Sequence, residues 1–105
     1  MNYVLIKVKK EVVDSNDGNL YETVRKAWKL NLKKASRFKT VLGVVNGIVR
    51  GVYTVERWQS SDVENGRIEF VGEDASDEIR TYFLSKRIPE QYRKKGMASP
   101  VLYHE

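Results

Sequence analysis

The sequence of 105 residues predicts an α+β domain in which a small, curled antiparallel or mixed sheet packs against a basic amphipathic helix. Three observations predict this class. Alternating apolar residues indicate short strands, Asn46-Gly47 between two β-rich runs indicates a hairpin, and residues 20–30 carry apolar side chains at helical spacing. The length is that of one common domain and suffices to bury one core. We therefore expect residues 1–105 to form a single domain.

The first element is predicted to be a half-buried strand. Val4, Ile6 and Val8 alternate with residues that include Lys7 and Lys9, which is the pattern of a strand with one apolar face. The polar run at residues 14–18 is a dense turn signal that ends it.

A basic helix is predicted next, over residues 20–30. Trp28 falls on its apolar face and is expected in the core. Asn31 would interrupt that face, so we expect a short break there, after which Asn31 caps a second helical turn through Phe38.

The clearest local signal is the hairpin formed by residues 40–45 and 48–55. Asn46-Gly47 favours a type I′ turn because both central residues of that turn need positive φ. Gly43 and Gly51 interrupt the two arms, where glycine often marks a bulge, a bend or the close approach of another backbone.

The remaining elements are shorter. Residues 67–71 predict a strand with Ile68 inward, and Ser76 can cap a helix that begins at Asp77 and ends near residue 84. A last strand is expected at residues 99–103, with Pro100 at the sheet edge. The predicted order is β-α-(α)-β-β-β-α-β, and strands of this kind can curl into an open barrel.

The charge distribution is the best functional clue. The formal net charge is +5, and the stretch from Arg25 to Lys39 holds seven cations and no acid. On one continuous helix, Arg25, Lys29, Lys33 and Arg37 would form a single row. Such a face suits a negatively charged partner, which can be nucleic acid, an anionic membrane surface or an acidic protein.

Catalytic and metal-binding motifs are mostly missing from the sequence. The only histidine is His104, next to the last residue, and there is no cysteine, no nucleophilic triad and no glycine-rich phosphate loop. Acids at residues 73–78 span a predicted helix start, where carboxylates are stabilising in any case. We therefore predict no metal and no cofactor. The sequence favours a protein without catalysis of its own, and an enzyme that acts on nucleic acid is the least favoured alternative.

Basic residues interleaved with aromatic ones suit nucleic acid, because cations bind phosphates while flat rings stack on unpaired bases. The row on the helix would bind phosphates, and a second basic set would extend the track. That second set comprises Lys86 and Arg87 with Arg93, Lys94 and Lys95, of which the last three would extend the track. The simpler interpretation of each set is a solvated lysine face.

A pocket is predicted where the second hairpin arm ends. Trp58 would form its wall, Arg57 would approach a bound base, and Ser99 and Tyr103 would complete it. In the alternative interpretation, Trp58 is a buried plug under the loop at residues 60–65.

The pattern from Leu20 to Tyr103 resembles a small, largely uncharacterised domain of bacteria and phages, which is met alone or fused to GIY-YIG nuclease-type proteins. The matching motifs are Tyr21-x-x-x-Arg25-x-x-Trp28, Ala35, Val41-Leu42-Gly43-Val44-x-Asn46-Gly47-x-Val49-x-Gly51-Val52-Tyr53, Trp58, Arg67-x-x-Phe70-x-Gly72, Lys86-x-Ile88-Pro89 and Gly96-x-Ala98-Ser99-Pro100-x-x-Tyr103. One departure is Ser99-Pro100, where the family usually has Asn-Pro.

The hairpin followed by Trp58 is also similar to the central strands of PUA-like domains, in which a small curled barrel binds RNA or a modified base. This resemblance implies a PUA-like open barrel. Together with the charge, it favours a non-catalytic module that binds RNA or single-stranded or modified nucleic acid in the cytoplasm of a bacterium or a phage-infected cell. The alternative is a small protein–protein interaction module, such as a phage-encoded inhibitor of an acidic host protein. No membrane-spanning segment or signal peptide is predicted.

Overall fold

The computed structural model describes residues 2–26, 28–61, 66–88 and 100–105. Within these ranges the strands are β1 (Tyr3–Val8), β2 (Thr40–Val45), β3 (Ile48–Ser60), β4 (Ile68–Asp74) and β5 (Val101–His104). The helices of the same ranges are α1 (Lys10–Ser15), α2 (Leu20–Arg25), α3 (Leu32–Ala35) and α4 (Asp77–Phe83). No helix in the described part of the chain is long and apolar enough to cross a membrane. The predicted α+β class is confirmed.

The strands form one open, mixed sheet in the order β4-β3-β2-β1-β5. β1 lies parallel to β2, with Val4 opposite Val41, whereas the β1–β5, β2–β3 and β3–β4 pairs are antiparallel. The parallel pair requires a crossover connection, which α1, α2 and α3 provide in sequence. Ile6 of β1 and Phe70 of β4, which two strands separate in the sheet, belong to one apolar cluster together with Val24 of α2 and Ala35 of α3, so the helical elements complete the core on this face.

The predicted hairpin is confirmed. Asn46 and Gly47 have φ of 52° and 76°, as a two-residue turn with two positive φ values requires. Gly43 lies opposite Gly51, and the register shifts immediately after Gly43. A Cβ at Gly43 would lie 2.9 Å from Cγ2 of Val24, so the missing side chain lets α2 pack directly against β2.

Helical elements cover both faces of the sheet. Val24 of α2 and Ala35 of α3 belong to the cluster on one face, and Phe83 of α4 belongs to the cluster on the other. As a result Val4 and Leu5, which point to opposite faces of β1, are both fully buried. The prediction of a half-buried first strand was therefore wrong over its first residues.

The helical region departs most from prediction. α2 ends at Arg25, Lys26 is extended with φ of −120° and ψ of 156°, and Trp28 pairs with Ile68 as an isolated antiparallel bridge. The helix predicted over residues 20–30 is therefore confirmed from Leu20 to Arg25 and wrong beyond that residue, and a single basic helix packed on the sheet is not confirmed. The predicted cap is confirmed, since the Asn31 side chain accepts a hydrogen bond from the Lys34 N–H at 3.0 Å.

Two other elements differ from the prediction. The helix α1 was not predicted; it contains no buried residue, and no apolar periodicity marks it in the sequence. β3 continues to Ser60 through a register shift between Val55 and Arg57. The predicted helix at Asp77 is confirmed with its Ser76 cap, and the last strand begins at Val101.

Candidate nucleic-acid interface

The outer edge of β4 is covered by residues 21–26 together with Trp28, which we call the edge-covering segment. The Trp28 N–H donates to the Ile68 carbonyl and the Ile68 N–H donates to the Trp28 carbonyl, both at 2.9 Å. Further along the strand, Arg25 Nε donates to the Phe70 carbonyl at 3.1 Å, and the Gly72 N–H donates to the Tyr21 hydroxyl at 3.0 Å. An exposed sheet edge presents unpaired backbone groups of this kind. The segment therefore supplies hydrogen-bond partners to the β4 backbone at three alternate residues, Ile68, Phe70 and Gly72.

The Arg25 charge is also taken up inside the protein. Its guanidinium lies 3.2 Å from the Glu69 carboxylate and 3.7 Å from that of Glu22. Only 14% of the Arg25 side chain and 6% of the Glu69 side chain are exposed. Gln59 Nε2 donates to the same Glu69 oxygen at 2.8 Å. The prediction that Arg25 binds phosphate is therefore corrected, because its donors already bind a buried carboxylate and a backbone carbonyl.

The predicted row of four cations does not form, because the helix ends at Arg25. Three of its members, Lys29, Lys33 and Arg37, are nevertheless exposed together with two cations outside the row. We call residues 29–39 the basic segment. Its cations are Lys29, Lys33, Lys34, Arg37 and Lys39.

The basic segment is held by two apolar anchors. Ala35 is fully buried and Phe38 is 2% exposed, and both belong to the cluster under α2 and α3. The segment itself contains no acid, and within the described ranges none of its cations forms an ion pair. Five charges without a carboxylate partner create a positive potential over this surface.

One of these cations lies on an aromatic ring. Lys34 Nζ is 4.5 Å from the ring centroid of Tyr103, which also contacts Phe38 with ring centroids 5.0 Å apart. Burial raises the pKa of the Tyr103 hydroxyl, and this buried oxygen has no hydrogen-bond partner among the described residues. Tyr103 therefore supports the basic segment from β5 instead of walling a pocket at Trp58.

The predicted Trp58 pocket is wrong. Trp58 is 9% exposed, its Nε1 donates to the Phe38 carbonyl at 3.0 Å, and its ring packs on Phe70. Arg57 is exposed, donates to Gln59 at 2.8 Å and pairs with Glu56 at 3.3 Å. Consecutive strand residues point to opposite faces, so Arg57 and Trp58 cannot meet one base together.

The other predicted site residues lie outside the described residues. These are Arg93, Lys94, Lys95 and Ser99. The loop that Trp58 was alternatively predicted to plug is also described only in part.

A cleft opens beside Trp28, the tryptophan that was expected in the core. Its volume is about 440 Å³, and Lys7, Lys9 and Lys26 line it together with Trp28. Trp28 is half-buried, and its Nε1 donates to the Val24 carbonyl at 2.7 Å. Lys26 pairs with Glu22 at 3.2 Å, whereas Lys7 and Lys9 form no ion pair with any described residue. We call this feature the Trp28 cleft.

Other chemistry is sparse in the described ranges. The acids at Glu73, Asp74, Asp77 and Glu78 are exposed, and the described His, Asp and Glu residues form no group that could hold a metal ion. His104 stacks on Tyr3 with ring centroids 4.6 Å apart.

Comparison of the chain with family models, with curated proteins and with solved structures found no match. Function is therefore inferred from the geometry of the basic segment and of the Trp28 cleft. The sequence prediction omitted Lys34 and Lys39 because they fall outside a four-residue spacing. The cap predicted at Asn31 was the signal that could have added these two lysines to the predicted site. A cap at that position begins a new helix, in which the four-residue spacing counted from Arg25 no longer applies.

Proposed function

We propose that this protein is a non-catalytic module that binds single-stranded nucleic acid through the basic segment. The observation that carries the proposal is the set of five exposed cations on residues 29–39 that have no carboxylate partner among the described residues. Cations that are not used for internal pairing are available to phosphates, and phosphate contacts supply most of the affinity in non-specific nucleic-acid binding.

Single-stranded nucleic acid suits this surface better than a duplex. α3 has only four residues, which is too short for a recognition helix in a major groove, and it is anchored to the sheet by Ala35. The segment also continues directly into Trp28, which is half-buried beside a cleft. Proteins that bind single strands combine a cationic track with aromatic rings.

The PUA-like resemblance of the hairpin supports the same proposal, and the open, mixed sheet is compatible with it. RNA is the substrate that this resemblance favours, and a bacterial or phage-infected cytoplasm is the corresponding location. An acidic protein could dock on the same cations. Pull-down from bacterial lysate with and without nuclease treatment distinguishes the two partners, because only a protein partner persists after nuclease treatment.

The direct test is a charge reversal on the basic segment with a matched control. Lys33→Glu with Arg37→Glu removes two exposed cations from the segment, whereas Arg50→Glu with Arg87→Glu removes two exposed cations from other elements. Each reversal lowers the net charge by two units, so both double variants fall from +5 to +1. Binding of a fluorescent oligouridylate is then measured by anisotropy over a series of salt concentrations.

We expect the segment variant to lose more than about tenfold in affinity. Its dependence of log K on log salt should also become shallower, by about 0.7 for each phosphate that the variant no longer binds. The control variant should bind nearly as well as the wild type. An equal loss in both variants would mean that only net charge matters, and absence of binding by the wild type would contradict the proposal.

A further inference from the structure

We infer that the Trp28 cleft receives one unpaired base of the strand whose phosphates contact the basic segment. This inference rests on the proposed function and adds the position at which a base, as distinct from a phosphate, is bound. The cleft volume of about 440 Å³ lies within the range of roughly 300–1,000 Å³ that is usual for small-molecule sites.

The Trp28 side of the cleft is fixed without a ligand. The backbone of Trp28 is held by its two hydrogen bonds to Ile68 of β4, and its indole N–H is held by the Val24 carbonyl at the end of α2. The ring therefore has no hydrogen-bonding group left to satisfy. What such a ring offers a ligand is its apolar surface, which is the part that stacks on a base.

The lining of the cleft also carries polar and positive groups, beside the apolar Val8 and Val12. Lys7 and Lys9 come from the end of β1, and Asn16 and Thr23 line the cleft as a pair in which Asn16 Nδ2 donates to Thr23 Oγ1 at 2.9 Å. A base offers donors and acceptors to such groups, and its phosphate offers negative charge to the two lysines. A neutral apolar ligand would leave the two lysines desolvated without a negatively charged partner.

The cleft and the basic segment adjoin in the chain at Trp28 and Lys29. Lys29, the first cation of the segment, follows Trp28 directly, and Lys34 lies over Tyr103 of β5 while Pro100, just before β5, borders the cleft. A strand that is bound at Lys29 therefore has the cleft directly beside it, at the start of the basic segment. Trp58 offers no comparable position because it is buried against Phe70.

The two tryptophans allow a direct test. In a Trp58→Phe variant, Trp28 is the only tryptophan and reports on the cleft through its fluorescence. The probes are an oligouridylate of about ten nucleotides, within the usual site size for single-strand binders, and an oligomer of equal length in which every base is absent. Both probes carry the same phosphates, so they differ only in the bases.

The oligouridylate should quench Trp28 emission and bind roughly 5- to 150-fold more tightly than the abasic oligomer, which is the usual value of one stacked base. The converse variant, Trp28→Phe, should bind both probes with a smaller difference, and the emission of its remaining Trp58 should not change.

The outcomes separate the two proposals. Equal affinity for both probes with unchanged Trp28 emission overturns the cleft inference and leaves the phosphate-binding proposal standing. Failure of both probes to bind overturns the proposed function itself. If the Trp58→Phe variant does not fold, wild-type protein labelled with 5-fluorotryptophan gives two ¹⁹F resonances. Only the resonance that is broadened by a soluble paramagnetic probe, which identifies the more exposed Trp28, should then shift on addition of oligouridylate.

Discussion

The edge-covering segment and the basic segment are neighbours in the chain and carry cations of the same kind, yet they use them in different ways. Arg25 turns its guanidinium inward to the Phe70 carbonyl and to Glu69, and 14% of its side chain is exposed. Lys29, Lys33 and Arg37 leave their charges in solvent. The same four-residue spacing thus connects one structural cation with three that are free to bind a partner.

The difference depends on what the fold leaves unpaired nearby. β4 is an edge strand, and its outward carbonyl at Phe70 and the buried carboxylate of Glu69 both need a donor. Arg25 is placed by α2 to supply both, because its planar group carries several donors in fixed directions. No described carboxylate lies within ion-pair distance of the cations on residues 29–39.

The largest expected effect comes from breaking the inward contact. Arg25→Met keeps an apolar stem but leaves the Glu69 carboxylate and the Phe70 carbonyl without this donor. Removing one member of a buried ion pair typically costs about 3–5 kcal/mol. We expect a value near the lower limit, because Gln59 still donates to Glu69. Urea unfolding followed by circular dichroism measures this change.

A second substitution identifies the cause. Adding Glu69→Gln to Arg25→Met replaces the unpaired carboxylate by a neutral amide, which is less costly to bury. Part of the lost unfolding free energy should therefore return. A loss below about 1 kcal/mol in Arg25→Met alone would show that the edge does not depend on this arginine.

The next effect concerns another position on the same edge. Tyr21→Phe keeps the ring contacts with Tyr53 and Phe70 but removes the hydroxyl that accepts from the Gly72 N–H. An unsatisfied buried donor costs about 1–3 kcal/mol, so we expect roughly 1–2 kcal/mol here because Gly72 is only half-buried. Amide hydrogen exchange at Gly72 should also become faster.

Tyr82→Phe is the matched control for this substitution, since Tyr82 is 64% exposed. Its unfolding free energy should stay within about 0.5 kcal/mol of the wild type. Equal effects of the two substitutions would indicate that the Tyr21 hydroxyl contributes nothing specific to the β4 edge.

Sequence reasoning succeeded where the determining interaction is local. The Asn46-Gly47 turn follows from the φ values that two adjacent residues can adopt, and the Asn31 and Ser76 caps follow from hydrogen bonds to residues three positions away. It failed where the partner is distant. Arg25 and Glu69 are separated by 44 positions, and the pairing of Trp28 with Ile68 stops the helix that local propensity would extend.

The two tryptophans show the same limit. Trp28 was expected in the core because it falls on an apolar helical face. It does pack against the core cluster, but it is only half-buried, pairs with Ile68 in an isolated bridge and borders a cleft. Trp58 was predicted to form the wall of a pocket, with a buried plug as the alternative, and the structure buries it. Its neighbours in the strand point to the other face and carry no information about Trp58 itself. The burial of Trp28 follows from the end of α2 at Arg25, and the burial of Trp58 follows from the continuation of β3 to Ser60. Both boundaries depend on tertiary contacts, which the local sequence does not reveal.

The smallest expected effect tests the outward half of the comparison. Lys33→Ala with Arg37→Ala removes two exposed cations that form no ion pair with a described residue, so the unfolding free energy should change by no more than about 0.5 kcal/mol. Asn31→Ala, in the same segment, removes the cap on α3 and should cost about 1 kcal/mol, which shows that the urea assay detects a real change there.

The same two alanine substitutions, Lys33→Ala with Arg37→Ala, should weaken oligouridylate binding, whereas Asn31→Ala leaves all five cations in place. A stability loss in Lys33→Ala with Arg37→Ala as large as that of Asn31→Ala would mean that these cations also serve the fold. If removal of these cations weakens binding without lowering stability, the surface that carries them serves a partner and not the fold.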